Sequence, residues 1–242
     1  MKIFQWIYTV YAAVLFVVLM LAFSLFIILP LVISPRGGKV SFVFIRLWAS
    51  TWSFLVGIRY EVHGREFIKP LQPYIYIFNH RSFIDAPVIP MAIRQEVRAI
   101  GKKELSKVPV FGLIVSRVAV WVDRKDASSR KASVAVLLGI LKKGISIVVA
   151  PEGTRNNTSQ ALLPFQRGAF RIAIETGTPI MPMAVIGADK IMPRGSLLMR
   201  PGKVKVYFST PIEPKKYQNE EGYIALADKC FNRLEAMILT HE

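Results

Sequence analysis

The sequence predicts an α/β domain, a mixed sheet flanked by helices, behind an N-terminal two-helix membrane anchor. Two observations carry this prediction. Two long apolar stretches fill most of the first 58 residues, and after residue 60 short β-branched runs alternate with longer segments of helical character. We therefore expect residues 1–58 to form the anchor and residues 59–242 to form one domain.

The first apolar stretch runs from Ile3 to Ile33 without a charged residue. Up to Leu29, before Pro30, it could form roughly 40 Å of helix, more than the ~30 Å hydrocarbon core of a bilayer. A secretory signal peptide is the alternative, but the run exceeds the usual length of such a segment and no A-x-A-like cleavage site follows it. We expect a retained membrane helix.

The second apolar stretch, Val40 to Ile58, carries Arg46 and the tryptophans Trp48 and Trp52. An arginine at a bilayer centre costs at least ~2.5–3.5 kcal/mol, whereas tryptophan favours the membrane interface. This helix is therefore expected to lie at the interface or to pack on the first one. The sequence leaves open whether the pair crosses the bilayer or enters one leaflet.

Charge and hydropathy together indicate the kind of partner. The chain has 32 Lys and Arg against 16 Asp and Glu, a formal net charge of +16, and a mean hydropathy of +0.39. A phospholipid surface is both apolar and anionic, so it fits this composition better than nucleic acid. The single Cys230 excludes an internal disulfide, and His63 and His241 are too isolated to suggest a metal site.

Six strands and four helices are predicted after residue 60. The strands are Tyr74–Phe78, Val97–Gly101, Val118–Asp123, Ile145–Ala150, Ile180–Gly187 and Val204–Phe208. The helices lie near Ala86–Ile93, Ser128–Lys143, Arg167–Thr176 and Gly222–Leu239. Gly144 and Gly177 stand where C-terminal helix caps are expected.

The first of these strands ends in Asn79-His80, and Asp85 follows five residues after the histidine. Open α/β sheets place their chemistry at such strand ends. If the chain turns and Asp85 begins a helix, its carboxylate can bind one ring nitrogen and leave the other free to take a proton. His80 would then be a general base. The spacing also fits an Asp85 that only caps the helix, so the pair needs support from elsewhere.

A second strand end, after Ile145–Ala150, reads Pro151-Glu152-Gly153-Thr154-Arg155. The glycine permits close backbone approach or a positive φ, and Arg155 offers a planar fork suited to bidentate phosphate binding. By itself this pentapeptide fits a charged turn. Next to the His/Asp strand end, it indicates a base beside an anion site.

Four segments of the chain occur in the order of the four blocks of the glycerolipid acyltransferases: NHRSFIDAP, Val122-Asp123-Arg124, APEGTR and Thr178-Pro179-Ile180-Met181-Pro182. The chain resembles in particular the bacterial 1-acylglycerol-3-phosphate acyltransferases, from about Tyr74 to Gly187, and an N-terminal anchor is usual in that family. Two positions depart from it: Ala150 stands where the family usually has Phe, and Gln166 where it often has Lys.

The resemblance implies roles for individual residues. His80 would deprotonate the acceptor hydroxyl as it attacks an acyl thioester, and Asp85 would orient it. The remaining implied site residues all contact or shape the substrates: Glu152 and Gly153 around the acceptor glycerol, Thr154 as a further substrate-binding residue, Arg155 on the acceptor phosphate, Lys102 and Arg124 as further anion contacts, and Pro182 beside the acyl channel. No metal and no cofactor are expected.

The implied reaction moves a fatty acyl group to the sn-2 hydroxyl of 1-acylglycerol 3-phosphate and gives phosphatidate. The implied partners are membrane phospholipids, the lysophospholipid acceptor and an acyl donor, either acyl-CoA or acyl carrier protein. The expected location is the inner or cytoplasmic membrane, with the site facing the cytoplasm. Alternatives are another acceptor (a different lysolipid or glycerol 3-phosphate), a lipid hydrolase of the same fold, and a non-enzymatic membrane-binding protein.

Overall fold

The computed structural model describes residues 2–34, 37–108, 111–116, 118–123, 126–217 and 221–242. These residues include the strands β1 (Ile58–His63), β2 (Ile75–Phe78), β3 (Val97–Lys102), β4 (Ala119–Val122), β5 (Ser146–Val149), β6 (Ile180–Ile186) and β7 (Gly202–Phe208). They form one sheet in the order β1-β7-β6-β2-β5-β3-β4.

The sheet is mixed, and its parallel part holds the two strand ends of interest. Strands β6, β2, β5, β3 and β4 run parallel to one another, whereas β7 and β1 run parallel to each other and antiparallel to β6. Because β2 and β5 are parallel neighbours, the loops that follow them leave the same edge of the sheet. This is the predicted fold class.

Helices cover both faces of the sheet. They are α1 (Lys2–Ile33), α2 (Gly38–Leu55), α3 (Asp85–Ala92), α4 (Phe111–Val115), α5 (Ala127–Lys142), α6 (Gly168–Thr176), α7 (Ala188–Ile191) and α8 (Gly222–His241). The alternation of side chains along β2 divides the core between the two faces. Tyr74, Tyr76 and Phe78 pack toward α2 and α3, and Ile75 and Ile77 pack toward α5, α6 and α8.

The structure contains all six predicted strands and all four predicted helices, with ends shifted by a few residues. Gly144 and Gly177 have φ of 75° and 64°, as a C-terminal helix end requires. The sequence did not predict β1, which lies at the edge of the sheet and buries only Ile58. Its first residue had been grouped with the preceding apolar stretch, where the helix in fact ends at Leu55.

The two N-terminal helices form an antiparallel hairpin that packs on the domain. The Trp52 indole donates to the carbonyl of Ala12 at 2.9 Å, and the Ser41 hydroxyl donates to the carbonyl of Ile27 at 2.7 Å. By length and composition, α1 is the one helix among the described residues that could cross a membrane. Helix α2 instead packs on α1, as its arginine and tryptophans indicated.

The division of the chain at residue 58 stays a prediction, since Val56, Ile58 and Tyr76 share one core.

One side of the hairpin is apolar and exposed. We call it the anchor face; its exposed side chains recur at helical spacing and include Ile7, Val10, Val14, Leu21, Leu25, Val32, Val40, Val43, Leu47 and Phe54. The opposite side contributes Ala12, Phe42 and Trp52 to the main core. An exposed apolar surface of this size on one side only is typical of a protein that lies against lipid.

Candidate active site

The loop after β2 is fixed to the neighbouring strand before it reaches His80. The Asn79 side chain is buried; its Oδ1 accepts from the backbone N–H of Val185 at 2.7 Å, and its Nδ2 donates to the Val185 carbonyl at 2.8 Å. These two bonds take the place of strand pairing where β2 ends beside β6. The position of His80 is therefore set by the sheet itself.

His80 and Asp85 meet in the geometry that the sequence predicted. Nδ1 of His80 lies 2.7 Å from Oδ2 of Asp85, and Oδ2 also accepts from the backbone N–H groups of Arg81 and Ser82, each at 3.0 Å. Asp85 is the first residue of α3, and Ile84 rather than Asp85 occupies the N-cap position. The same carboxylate oxygen thus binds the imidazole and accepts the hydrogen bonds of two backbone N–H groups in the turn before the helix.

The imidazole is accessible and its carboxylate is not. About 29% of the His80 side chain is exposed, against 2% for Asp85. A ring that donates from Nδ1 to a carboxylate presents an unprotonated Nε2. No residue that the structure describes hydrogen-bonds to this Nε2, so it is available to accept a proton from a bound hydroxyl.

Glu152 holds the backbone of His80 through a hydrogen bond. Its Oε1 accepts from the backbone N–H of His80 at 2.8 Å, and its Oε2 accepts from the backbone N–H of Leu163 at 2.9 Å. Burial raises the pKa of the Glu152 carboxyl, although the two N–H groups oppose this shift. The resemblance implied a position around the acceptor glycerol. In the structure both oxygens are engaged inside the protein, so Glu152 holds the His80 loop.

The loop after β5 completes this connection and brings Arg155 to the site. The backbone N–H of Asn156 donates to the His80 carbonyl at 2.7 Å. Gly153 has φ of 72°, the left-handed conformation that its position in the motif suggested, and Thr154 is exposed beside it. The Arg155 guanidinium carbon lies 3.6 Å from the centre of the Phe83 ring, a cation–π contact that orients the side chain.

Arg194 is a second arginine at this site, and the sequence did not reveal it. It donates to the backbone carbonyl of Arg155 and, at 3.0 Å, to Oδ1 of Asn157. Burial lowers the pKa of the Arg155 guanidinium and the positive charge of Arg194 lowers it further, whereas the negative charge of Asp85 opposes this shift. Within the described ranges neither arginine has a carboxylate within 4.0 Å. Two like charges are therefore held together beside His80, which is the electrostatic setting of an anion site.

Two of the other residues implied by the resemblance, Lys102 and Pro182, make no contact with His80 or Asp85 that the structure describes. Lys102 ends β3, separated from β2 by β5, and its ammonium pairs with Glu104 at 3.1 Å. Pro182 is buried in β6 opposite Ile77, inside the sheet. Arg124 lies outside the described residues. Among the residues that are described, no group of three or more His, Cys, Asp or Glu could hold a metal ion.

An apolar cavity of about 160 Å³ lies between the anchor and the domain. Ala86 and Pro87, the residues that directly follow Asp85, form part of its wall. Helices α1 and α2 supply much of the remainder, chiefly Phe16, Trp48 and Trp52. The cavity is lined almost wholly by carbon, so it suits a hydrocarbon chain.

Comparison with known proteins gives concordant matches. The acyltransferase family model matches residues 59–186. A chloroplastic 1-acyl-sn-glycerol-3-phosphate acyltransferase of Brassica napus is 32% identical over 208 residues, 85% of this chain and 59% of the relative. The human 1-acyl-sn-glycerol-3-phosphate acyltransferase alpha is 32% identical over 203 residues, 82% of this chain and 70% of the relative.

A solved structure has the same fold over the whole chain. The crystal structure of the 1-acyl-sn-glycerophosphate acyltransferase PlsC from Thermotoga maritima superposes with a TM-score of 0.84 at 23% identity, covering 100% of this chain and 98% of that one. The chain spans only 54–59% of the length of the first three plant relatives that it matches. Its family match nevertheless covers more than half of its own residues, and this protein belongs to the acyltransferase family.

Proposed function

We propose that this protein transfers a fatty acyl group from an acyl thioester to the sn-2 hydroxyl of 1-acylglycerol 3-phosphate, forming phosphatidate. One observation carries the proposal: an accessible histidine, held by a buried carboxylate, lies beside two arginines that have no carboxylate partner in the described residues. The names of the plant and human relatives support this choice of acceptor.

In the proposed reaction, Nε2 of His80 takes the proton of the acceptor hydroxyl as its oxygen attacks the thioester carbonyl carbon. The negative charge of Asp85 stabilises the imidazolium that forms. The tetrahedral intermediate then collapses, the carbon–sulfur bond breaks, and the departing thiolate receives the proton from His80. Glu152 and Asn156 hold the two sides of the His80 peptide, so the ring stays in place through both transfers.

Arg155 and Arg194 would bind the acceptor phosphate. A phosphate between the two guanidiniums would relieve their mutual repulsion and accept charge-assisted hydrogen bonds. Phe83 limits the freedom of Arg155, so less conformational entropy is lost on binding. Lys102 and Arg124 remain candidates for contacts to the phosphates of an acyl-CoA or acyl carrier protein donor, and no further cofactor is proposed.

The apolar cavity would receive an acyl chain, and the anchor would bring the site to the membrane that supplies it. Helix α1 keeps contact with the domain: the Thr9 hydroxyl accepts from the backbone N–H of Met199 at 2.8 Å, and Met20 and Ile27 pack with Ile114. A helix that is fixed along its length on the domain favours entry into one leaflet. We place the protein on the inner or cytoplasmic membrane, facing the cytoplasm, where it meets lipid acceptors and soluble acyl donors.

The proposal is tested with purified protein, a labelled acyl donor and a panel of acceptors. Labelled acyl-CoA and acyl carrier protein would be offered with 1-acylglycerol 3-phosphate, glycerol 3-phosphate, lysophosphatidylcholine or no acceptor. We expect labelled phosphatidate to form fastest. Release of free fatty acid without an acceptor would identify a hydrolase, and preference for another acceptor would replace the proposed substrate.

A further inference from the structure

A second group of arginines lies at the end of α3 that is remote from Asp85. Arg65 follows β1, and its guanidinium is anchored: Nη2 donates to the carbonyl of Met91 at 2.6 Å and Nε donates to the carbonyl of Ala92 at 3.1 Å. These carbonyls belong to the last turn of α3, where a positive charge is favourable. Arg94 is exposed two residues beyond that helix.

Arg46 approaches the same place from α2. Its residue is half-buried, and its Nε atom is buried without a hydrogen-bond partner. A buried donor without a partner is costly and uncommon, so it calls for an explanation. Burial lowers the pKa of Arg65, and the charges of Arg94 and Arg46 lower it further, so the guanidiniums of Arg94 and Arg46 both lie within electrostatic range of Arg65.

None of these three arginines has a carboxylate within 4.0 Å among the residues that the structure describes. The nearby Glu96 is already paired with Arg98 at 2.6 Å. The cluster is therefore a concentration of positive charge without a counter-ion from the protein. An external anion would supply both the missing charge and an acceptor for Nε of Arg46.

The position of Arg46 on α2 indicates what kind of anion can reach it. Arg46 directly precedes Leu47, a member of the anchor face, so the two side chains leave the helix roughly 100° apart. Arg46 thus lies on the flank of α2, between the lipid-facing side and the side that packs on the domain. When the anchor face is immersed in hydrocarbon, this flank lies at the level of the phospholipid headgroups.

We propose that Arg46, Arg65 and Arg94 form a second anion site, which binds the phosphate of an anionic phospholipid headgroup. The acyl chains of that lipid would lie along the anchor face, and Arg65, fixed by α3, would keep the site in shape without its ligand. The site is at the far end of α3 from His80 and does not depend on the proposed reaction. It would select anionic membranes and fix the angle at which the protein lies on them.

The test measures binding, not catalysis, and compares two lipids that differ in their headgroup. The full chain in a neutral detergent would be titrated at physiological ionic strength with dansyl-labelled phosphatidylglycerol or dansyl-labelled phosphatidylcholine, and energy transfer from tryptophan would report binding. The wild type should prefer phosphatidylglycerol. Arg46→Met combined with Arg94→Gln should reduce that preference by about tenfold or more, since each surface cation contributes measurably to anionic-lipid binding.

Arg65 is left in place because it holds the end of α3. The matched control, Lys142→Gln with Lys229→Gln, removes two exposed charges from α5 and α8 on the opposite face of the sheet and should keep the preference. If both variants lost the preference for phosphatidylglycerol equally, the preference would come from the net charge of the whole protein, and the proposed site would be wrong. An unchanged preference in the arginine variant would also overturn the proposal.

Two further measurements complete the test. If the double variant does not fold, Arg94→Gln alone, at an exposed position, should still weaken the preference; no change would count against the site. Unlabelled phosphatidylglycerol should displace the labelled lipid, whereas inorganic phosphate at the same concentration should not. Equal displacement by inorganic phosphate would mean that the site binds free anions, and the headgroup assignment would be wrong.

Discussion

Oδ2 of Asp85 lies 2.7 Å from Nδ1 of His80, and the other carboxylate oxygen, Oδ1, is buried without a hydrogen-bond partner in the described structure. All the hydrogen bonds of this carboxylate are therefore made at the oxygen that faces the imidazole. The backbone N–H groups of Arg81 and Ser82 bind the same oxygen and fix its position. Such a carboxylate is well placed to stabilise an imidazolium as it forms.

Replacement of His80 by alanine should lower turnover by roughly 10²–10⁴-fold, the usual contribution of a positioned acid–base group. The measurement is transfer of labelled acyl groups to 1-acylglycerol 3-phosphate. The matched control is His63→Ala, which removes an exposed histidine that stacks on Tyr207 near the edge of the sheet. Near-normal activity of His80→Ala would remove this residue from the mechanism.

Replacement of Asp85 by asparagine should separate its two roles. The carbonyl oxygen of asparagine can accept the backbone N–H bonds of the turn, but its amide nitrogen would take the place of the buried Oδ1, which has no hydrogen-bond partner, so the melting temperature should fall moderately. It carries no charge to stabilise the imidazolium, so turnover should fall by about one to two powers of ten. A lower melting temperature with full specific activity of the folded fraction would show that Asp85 acts only on the turn.

Glu152→Gln should change stability in a pH-dependent way. Because burial raises the pKa of Glu152 above its usual value of 4.5, the stability that this carboxyl contributes is fully present below that pH. It is lost as the pH rises through the folded-state pKa. Glutamine does not ionise, so the melting temperature of the variant relative to the wild type should increase as the pH rises above about 4.5.

The absolute effect of Glu152→Gln should be destabilising, because the amide nitrogen cannot accept the N–H of His80 or of Leu163. If the amide nitrogen faces His80, turnover should fall as well, because the His80 N–H then has no acceptor. Glu175→Gln, at an exposed position on α6, controls for the removal of a negative charge. A difference in melting temperature that decreased with rising pH would contradict the assigned role of burial.

The parts of the site that could be predicted are those that are local in the sequence. The continuous β-branched and aromatic run from Tyr74 to Phe78 marks a strand buried on both faces, and the turn from His80 to Asp85 is contained within six residues. Gly153, in the motif after β5, likewise indicates by its residue type the positive φ that the structure shows. In each case the determining contacts involve neighbours along the chain or a single adjacent strand.

The parts that could not be predicted depend on long-range packing. Arg194 reaches the Arg155 loop across 39 residues, and no local pattern distinguishes it from the other 31 basic residues of the chain. Glu152 reads as a polar loop residue, yet the folded domain buries it beneath His80. Strand β1 alternates apolar and polar side chains, but its first residue, Ile58, continues the apolar stretch of the anchor, and this continuity concealed the start of the strand.

Charge on the anchor face should weaken membrane attachment. Val14→Glu combined with Leu21→Glu places carboxylates at two exposed positions of α1, where an ionised side chain in contact with hydrocarbon is unfavourable. We expect the variant to leave membranes during a high-salt wash that retains the wild type. Val136→Glu changes an equally exposed apolar residue on α5, across the sheet, and should have no effect. Full retention of the double variant would mean that lipid does not cover this face.

The arginine pair should determine the preference for a phosphorylated acceptor. Arg155→Ala should lower kcat/KM for 1-acylglycerol 3-phosphate by about one to two powers of ten, the value of a charge-assisted contact, and lower it far less for a monoacylglycerol without phosphate. Arg155→Lys should recover part of the loss, because an ammonium restores the charge without the two-pronged geometry. Arg194→Ala should show the same selectivity to a smaller extent, since part of its guanidinium already binds the Arg155 loop.

Two comparisons decide whether the pair acts on the phosphate or on the loop. If both arginines bind one phosphate, the losses in the double alanine variant should not be additive, as is usual for groups that share a partner. Arg200→Ala is the control, because its guanidinium binds the carbonyl of Lys190 in the same segment of chain. An equal loss with both acceptors would mean that Arg155 only maintains the shape of its loop, and Lys102 and Arg124 would then become the candidates for the phosphate contact. Additive losses confined to the phosphorylated acceptor would instead assign the two arginines to separate contacts on that substrate.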